Sequence, residues 1–290
     1  MELKFTKMHG CGNDYIFINC FEKEITAPEQ LAVQLSDRHF GVGGDGIVLI
    51  LPSRVADAGM RMFNADGSEG KMCGNAIRCV AKYLFDNNIV PKTEMTIETL
   101  AGIKTLKLSI DGGGTGDGSL YHDSTMVQVD MGMPEFRPER IPVNLPGDQV
   151  VLRPVTIGGV EYAITCVSMG NPHCVVFCES VDTLDLPRIG PLFEHNPLFP
   201  ERVNTEFVEV LGKNHIKMRV WERGSGETLA CGTGACAVVV ALTMCGLGQK
   251  DTDVRVSLPG GELTICYTDQ GVLMTGGCCK VFEGTIAINE

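Results

Sequence analysis

Residues 64–78 read N-A-D-G-S-E-G-K-M-C-G-N-A-I-R, and residues 222–236 read E-R-G-S-G-E-T-L-A-C-G-T-G-A-C. In each segment, a loop that carries glycine and serine leads to Cys-Gly and then to a run that favours a helix. The two cysteines, Cys73 and Cys231, are 231 − 73 = 158 residues apart. Paired segments of this kind indicate that the chain contains two copies of one structural unit.

The same offset links further motifs and aligns the two halves without gaps. The aligned residues are Gly12-Asn13 with Gly170-Asn171, Met60-Arg61 with Met218-Arg219, Glu69 with Glu227, Leu100 with Leu258, and Gly102 with Gly260. We therefore predict two domains, residues 1–122 plus 278–290 and residues 123–277. The glycine-rich segment 111–119 is predicted to join them.

Each half shows a mixed pattern of α and β structure. The apolar, β-branched runs 16–20 and 47–51 predict buried strands, and residues 28–39 between them predict a helix. Residues 96–100 and 103–110 predict a hairpin.

Two further segments complete the prediction of the fold. Residues 235–245 are apolar on all sides, which predicts a helix that is buried all round. The tail, residues 278–290, has a strand pattern and is expected to return to the first domain. The predicted fold class is α/β (α+β), with two pseudo-symmetric domains that each wrap a sheet around a central helix.

The composition excludes several classes of protein. The 290 residues include 24 Lys+Arg and 36 Asp+Glu, a net charge of −12, which argues against a nucleic-acid-binding or anionic-membrane-binding protein. No apolar stretch reaches about 18 residues, so no transmembrane helix is predicted. Residues 1–10 lack the apolar core of a signal peptide. We therefore expect a soluble, cytoplasmic protein.

The chain contains 13 cysteines, a large number for such a protein. Disulfide frameworks belong to small secreted chains, and the C-x-x-C pairs of zinc sites are missing from this sequence. We predict no metal site, and we expect most of the thiols to be small buried hydrophobes. That structural interpretation applies to Cys11, Cys20, Cys79, Cys236, Cys245, Cys278 and Cys279.

Residues 41–46 fit the dinucleotide-binding pattern G-x-G-x-x-G. That pattern binds pyrophosphate only where a strand precedes it and a helix follows. Here the predicted helix comes first and the strand second, so the glycines are predicted to form a tight turn.

Cys73 and Cys231 each precede a predicted helix. A helix N-terminus offers unpaired N–H groups and about half a positive charge, so the pKa of both thiols is expected to be lowered. The backbone N–H groups that could bind a carboxylate are those of Gly74, Asn75, Gly232 and Thr233.

Two such cysteines in matching halves are expected to meet across the domain interface. Racemising a carbon requires a base on one face and an acid on the other, and a thiolate and a thiol can exchange these roles. The competing interpretation is that both residues are buried and cap helices for packing. The matched pair favours the catalytic interpretation.

These segments resemble the signatures of the diaminopimelate epimerase family. The resemblance rests on N-A-D-G-S, four residues and C-G-N-A-I-R at 64–78, on E-R-G-S-G-E-T-L-A-C-G-T-G-A at 222–235, on G-C-G-N-D at 10–14, on G-N-P-H at 170–173 and on R-V-N-T at 202–205. It implies a cofactor-free isomerase that converts LL-diaminopimelate to the meso form in the lysine and cell-wall precursor pathway. It also implies that Cys73 and Cys231 form the acid–base pair. The oligomeric state stays open, with a homodimer as one alternative.

The resemblance also implies a set of substrate contacts. These are Asn13, Asn64, Gly74, Asn75, Asn171, Asn204, Glu222, Arg223, Gly232 and Thr233, with His173 in an orienting or packing role. Arg223 suits a carboxylate because its guanidinium pairs in a fork, and Glu222 suits an ammonium group. The chain departs from the family at Gly46, where many members carry glutamine. We expect water or a neighbouring backbone group to replace that contact.

Two alternatives stay open. A related isomerase of the same fold would act on proline or hydroxyproline, although Glu222 and Arg223 favour a substrate with a second charged end. A thiol-rich protein that responds to metal or redox state is the other alternative, and it finds no supporting cysteine spacing.

Overall fold

The computed structural model describes residues 2–109 and 124–288, and the chain divides into two compact units. Unit 1 comprises Met1–Val129 and Thr275–Glu290, and unit 2 comprises Asp130–Met274. The segment 111–119, predicted to join the halves, lies outside the described residues.

Unit 1 consists of strands around a helix. In chain order its elements are β1 (Glu2–Gly10), β2 (Asn13–Asn19), α1 (Pro28–Ser36), β3 (Gly46–Leu51), β4 (Ala58–Asn64), β5 (Glu69–Gly70), α2 (Gly74–Asp86), β6 (Glu94–Thr99), β7 (Gly102–Ser109) and β8 (Ser124–Asp130). Strand pairing runs from β1 through β2, β3, β4, β6, β7 and β8. A C-terminal strand pairs with both β8 and β1 and closes the barrel.

Helix α2 is the buried centre of this unit. Its apolar residues Ile77, Val80 and Leu84 are fully buried, and it packs against β1, β2 and β7. Burial on this scale makes the hydrophobic effect the main term that holds the barrel around the helix.

Unit 2 repeats the plan. Its elements are a one-turn 3₁₀ helix (Pro138–Arg140), β9 (Arg153–Ile157), β10 (Val160–Ser168), β11 (Pro172–Phe177), α3 (Leu186–Glu194), β12 (Asn204–Gly212), β13 (His215–Glu222), β14 (Gly226–Thr228), α4 (Gly232–Met244), β15 (Asp253–Leu258), β16 (Gly261–Thr268) and the start of β17 (Gly271–Ala287). Pairing runs from β9 through β10, β11, β12, β13, β15 and β16 to β17. Helix α4 is buried from Ala235 to Leu242. The mixed α/β class, with a sheet around a central helix, is confirmed.

Strand register establishes the internal repeat. Tyr15 pairs with Gly46 in unit 1, and His173 pairs with Asn204 in unit 2, each partner 158 residues later. The arginine and the glutamate that the offset aligns also form an equivalent ion pair in each unit. Arg61 Nε lies 2.6 Å from Glu69 Oε1, and Arg219 Nε lies 2.8 Å from Glu227 Oε1.

The offset changes once, so the gapless alignment was wrong near its end. Thr99 pairs with Gly102 at the β6–β7 turn, and Leu258 pairs with Gly261 at the β15–β16 turn, which is an offset of 159. The connection from α4 to β15 holds 253 − 244 − 1 = 8 residues, against 94 − 86 − 1 = 7 from α2 to β6. Leu258 therefore corresponds to Thr99 and not to Leu100.

The boundaries of the two units differ slightly from the predicted domain boundaries. Residues 124–129 and 275–277, assigned to the second half from sequence, belong to unit 1. The reason is that β8 pairs with β7 and with β17. The tail returns to the first unit as predicted, since β17 pairs with β1 from Cys279 to Ala287.

Helix α1 ends at Ser36, three residues before the predicted end at His39. The carboxylate of Asp37 accepts the backbone N–H groups of His39 and Phe40, both at 2.7 Å, and turns the chain out of the helix. The glycines at 41–46 then lead into β3, in the predicted order of helix before strand. No helix among residues 2–109 and 124–288 is long and apolar enough to cross a membrane.

Candidate active site

Cys73 and Cys231 occupy the same helix position. Each is the N-cap residue of the buried helix of its unit, with an extended backbone and no side-chain cap. The two helices, α2 and α4, each contain 13 residues. The folded chain thus places one thiol at the positive end of each central helix.

In unit 1, Asn13 lies directly against Cys73. The sulfur of Cys73 donates to Asn13 Oδ1 at 3.3 Å. Asn13 Nδ2 donates to Asp45 Oδ2 at 2.7 Å, which fixes the orientation of the amide. Asn75 Nδ2 reaches the same Asn13 oxygen at 3.5 Å. Three of the predicted site residues therefore converge.

Charged residues hold this arrangement from outside. Asp14 lies 2.6 Å from Lys7 Nζ and 2.8 Å from Arg38 Nη2, and Arg38 also pairs with Asp45 at 3.0 Å. Burial works to raise the pKa of Asp14, but hydrogen bonds from Arg38 and Lys7 outweigh it and hold the pKa below its usual range.

Arg78 supports the first turn of α2 from within the barrel. Its side chain is fully buried, and its guanidinium donates to Gly74 O at 3.0 Å and to Asn75 Oδ1 at 2.9 Å. It also reaches Gly277 O on β17 at 3.3 Å. Arg78 was not selected from the sequence, although a cation between the apolar residues Ile77 and Cys79 was a signal.

Asn64 and Gly46 lie on neighbouring strands of unit 1, paired with each other. The Asn64 amide donates to Ser68 Oγ at 3.0 Å, so in this conformation it is held by its own loop. A Cβ at Gly46 would lie 2.0 Å from Phe63 O and 2.9 Å from the Tyr15 ring. A glutamine side chain therefore cannot occupy this position without a shift of the backbone.

In unit 2, Glu222 lies against Cys231. Its carboxylate accepts a hydrogen bond from Thr228 Oγ1 and adjoins the Cys231 thiol. The sulfur of Cys231 also lies 3.5 Å from Thr233 Oγ1. Glu222, predicted to contact substrate, is thus also a direct neighbour of the thiol.

The expected low pKa was wrong for Cys231. Burial and the charges of Glu222 and Glu206 raise the pKa of the Cys231 thiol well above its usual value, and the contact with Thr233 does not offset this. Burial likewise raises the pKa of Glu222. The sequence shows the helix N-terminus but neither the depth of burial nor the adjacent carboxylate.

Asn171 and His173 are linked to each other and to Thr233. Asn171 Nδ2 donates to Thr233 Oγ1 at 3.2 Å, and Asn171 Oδ1 lies 3.0 Å from His173 Nε2. His173 Nδ1 lies 2.7 Å from Glu206 Oε1, with both side chains fully buried. Glu206 was not selected from sequence, although a carboxylate within the apolar strand 204–208 was a signal.

Asn204 and Arg223 lie together through the backbone. Buried Asn204 accepts the Arg223 N–H through its Oδ1 at 2.9 Å, and Arg223 Nη1 donates to Glu201 O at 2.9 Å. Glu194 anchors the same loop, because it accepts from Trp221 Nε1 at 2.8 Å and from Gly224 N at 2.9 Å. The sequence analysis missed Glu194, which lies at the far end of α3.

The remaining thiols lie outside the two N-cap positions. All 13 cysteines lie among the described residues as free thiols. Burial raises the pKa of Cys79 and of Cys174 well above the usual value, which makes both poor nucleophiles. No group of three or more His, Cys, Asp or Glu residues that could hold a metal ion occurs within 2–109 and 124–288.

Comparison with known proteins identifies the family. A family model described as diaminopimelate epimerase matches residues 5–136 and 165–281. A diaminopimelate epimerase from Acetivibrio thermocellus is 53% identical over 290 residues, covering 99% of this chain and 100% of the relative. The chain belongs to the diaminopimelate epimerase family. A family member from Desulfovibrio desulfuricans is 54% identical and covers 97% of each chain.

Solved structures share the fold of this diaminopimelate epimerase family member. A hydroxyproline epimerase from Agrobacterium vitis has a TM-score of 0.68, with 14% identity, and covers 100% of this chain and 93% of that structure. At this identity the likeness shows a common fold. Sequence identity near one half, in contrast, links the chain to diaminopimelate epimerases.

Proposed function

We propose that this protein is an isomerase that converts LL-diaminopimelate to meso-diaminopimelate, with Cys73 and Cys231 as its acid–base pair. The observation that carries the proposal is the 53% identity to a diaminopimelate epimerase along the whole chain. The matched N-cap cysteines of α2 and α4 supply chemistry that suits this reaction.

The reaction moves one proton off the α-carbon and another onto it. One sulfur, as thiolate, removes the α-hydrogen and becomes a thiol. The other sulfur, as thiol, delivers its proton to the opposite face of the carbanion and becomes a thiolate. The reverse reaction exchanges the two roles, so the proton count of the pair is unchanged after each turnover.

The carbanion needs stabilisation, because an α-hydrogen beside a carboxylate is a weak acid. The first-turn N–H groups of Gly74, Asn75, Gly232 and Thr233 are proposed to bind the reacting carboxylate. A helix N-terminus that binds this carboxylate favours the negative charge that develops on it. In this mechanism the two thiols transfer the protons and the backbone N–H groups stabilise the carbanion, so the proposed reaction uses no cofactor.

The remaining substrate contacts are those that the resemblance to the family implies. Asn13, Asn64, Asn171 and Asn204 are proposed to bind ammonium and carboxylate groups, and His173 to orient the site. Arg223 is proposed to bind the distal carboxylate, since its exposed guanidinium donates to the backbone carbonyl of Glu201 and, within the described residues, forms no ion pair. Glu222 is proposed to attract the ammonium group.

The proposed setting follows from the chemistry. Reduced thiols are kept in the cytoplasm, so we propose a cytoplasmic enzyme of lysine and cell-wall precursor synthesis. Its partner is then a small amino-acid substrate. A homodimer stays a prediction, which sedimentation analysis of the purified chain would test.

The test uses the reduced, full-length protein. Incubation with LL-diaminopimelate should yield meso-diaminopimelate, followed by chiral chromatography until the two forms reach equilibrium. Proline and trans-4-hydroxyproline serve as parallel substrates. Turnover of either cyclic amino acid, without turnover of LL-diaminopimelate, would overturn the proposed substrate in favour of the related isomerase class.

A further inference from the structure

Glu206 is a carboxylate inside the core of unit 2. Its side chain and that of His173 are each 0% exposed, and its Oε2 has no hydrogen-bond partner among the described residues. The corresponding residue of unit 1, at 206 − 158 = 48, is the buried Val48. Valine fills that position in unit 1, so packing alone does not explain a carboxylate whose burial costs free energy.

A continuous chain of hydrogen bonds leads from Glu206 to the sulfur of Cys231. Glu206 Oε1 lies 2.7 Å from His173 Nδ1, and His173 Nε2 lies 3.0 Å from Asn171 Oδ1. Asn171 Nδ2 donates to Thr233 Oγ1 at 3.2 Å, and Thr233 Oγ1 lies 3.5 Å from Cys231 Sγ. We call this chain the Glu206 relay.

The relay has a defined direction. Asn171 uses its NH₂ group on Thr233, so its carbonyl oxygen must accept a hydrogen from His173 Nε2. With Nε2 protonated, the contact at Nδ1 is either an imidazolium that donates to a carboxylate or a protonated Glu206 that donates to a neutral imidazole. In both forms the pair carries no net charge, which suits a fully buried site.

The direction has a consequence at the thiol. Thr233 Oγ1 accepts from Asn171 and keeps its own proton to donate, so when Cys231 is a thiolate, which can only accept, the Thr233 hydroxyl is the donor of their contact. Cys231 needs such a donor, because burial and the charges of Glu222 and Glu206 oppose its thiolate. Each time Cys231 gives up its proton, the Thr233 hydroxyl can stabilise the resulting charge.

We propose that Glu206 is a positioning residue of the Cys231 site, which acts through His173 and Asn171 to direct the Thr233 hydroxyl at the sulfur. The inference rests on the proposed acid–base role of Cys231. The glycine at position 234 is consistent with this role of Glu206, since a Cβ at Gly234 would lie 2.6 Å from Glu206 Oε1. Glycine in the first turn of α4 therefore leaves room for the carboxylate.

The experiment compares three full-length variants with the wild type. Glu206→Val installs the residue that unit 1 has at this position, and His173→Phe breaks the relay at the next step. Glu206→Gln preserves the Glu206 relay, because the glutamine amide can donate a hydrogen bond to His173 Nδ1. Iodoacetamide alkylation of Cys231 is measured against pH by peptide mass spectrometry, and Cys73 in the same digest is the internal control. Turnover of LL-diaminopimelate is measured in parallel.

The relay predicts a specific pattern. In Glu206→Val and His173→Phe, half-maximal alkylation of Cys231 should move to higher pH, while that of Cys73 stays in place. kcat should fall about tenfold to a hundredfold, the effect of losing one buried hydrogen bond, with KM within about twofold of wild type. Glu206→Gln should retain the wild-type alkylation profile and most of kcat.

Other outcomes overturn the relay. A shift of Cys231 alkylation to lower pH in Glu206→Val would mean that Glu206 acts through its charge, and an unchanged profile would mean that it only fills space. If Glu206→Val does not fold, Glu206→Gln and His173→Phe decide by the same criteria. The alkylation readout does not need turnover, so failure of the proposed epimerase activity is distinguishable from failure of the relay.

Discussion

At the scale of single residues, the two cysteines have different neighbours. Glu222 lies against Cys231, whereas the corresponding residue of unit 1, at 222 − 158 = 64, is the neutral Asn64. Cys73 instead donates to Asn13, whose amide is held by Asp45. Equivalent positions on a repeated backbone therefore give the two thiols different electrostatic environments.

Removing the carboxylate of Glu222 should make Cys231 easier to ionise. In Glu222→Gln we expect alkylation of Cys231 by iodoacetamide to reach half its maximum at lower pH than in the wild type, because the charge that raises the pKa of the thiol is gone. Peptide mass spectrometry measures the profile, with Glu201→Gln on the exposed surface as the control. An unchanged or higher midpoint would contradict the assigned role of Glu222.

The same substitution should change how stability depends on pH. Burial raises the pKa of Glu222, so folded protein holds this proton more tightly than unfolded chain. The stability this proton provides is full below the unfolded pKa, about 4.3, and is lost as pH rises through the raised folded value. Glu222→Gln lacks that loss, and its Tm should exceed the wild-type Tm at pH 7.

That difference in Tm should shrink as the pH approaches about 4.3. Calorimetry or circular dichroism across the pH range measures it, and Glu201→Gln should show no such trend. A wild type that is more stable than Glu222→Gln at pH 7 would show that the carboxylate is better stabilised in the fold than its burial implies.

The matched motifs selected Cys73 and Cys231 as candidate residues of this site. The resemblance to the family added Asn13, Asn171 and Glu222 as candidate substrate contacts. Residues that support the site from behind, such as Glu206, Arg78 and Glu194, were missed. Their partners lie on distant strands, and only tertiary structure shows which buried charge meets which.

At the scale of elements, the two central helices organise each unit. Their sequence signal was strong, since the run 235–245 lacks a polar face, and α4 spans Gly232–Met244. The end of α1 was predicted less well, because the turn after Ser36 depends on the carboxylate of Asp37 accepting two backbone N–H groups. Periodicity reports the face of a helix but not the local hydrogen bonds that end it.

A cavity in α4 should destabilise the fold strongly. Leu242 is 1% exposed within this helix, whereas Leu247, just beyond its end, is 52% exposed. Leu242→Ala should lower the free energy of unfolding by about 2–5 kcal/mol. Leu247→Ala, the matched control, should change it by no more than about 0.5 kcal/mol. Urea unfolding measures both, and equal losses would contradict the central position of α4.

At the scale of the whole molecule, the repeat could be predicted from sequence because four motifs shared one offset. The prediction failed where the repeat is imperfect: the connection after α4 is one residue longer than its counterpart, so β15 and β16 follow an offset of 159. Insertions in turns leave no hydrophobic signal and are tolerated there, whereas strand pairing shows them directly.

The C-terminal strand should be essential to unit 1. Residues Cys279 to Ala287 of β17 pair with β1, so truncation after Gly277 would leave this edge of β1 unpaired, while the start of β17 would remain beside β8. We expect this truncation to yield aggregated protein, judged by size-exclusion chromatography. Truncation after Ile288 is the control and should stay soluble. A soluble, cooperatively folding protein ending at Gly277 would contradict closure of the barrel by β17.

The central claim is that two thiols act on opposite faces of one carbon. The most direct measurement is epimerisation of LL-diaminopimelate in deuterated water at low conversion, with mass analysis of substrate and product separately. Two acid–base groups predict solvent deuterium in the meso product and protium in the recovered substrate, and near-complete loss of epimerisation in both Cys73→Ala and Cys231→Ala. Protium retained in the product, or undiminished epimerisation in either variant, would contradict the claim.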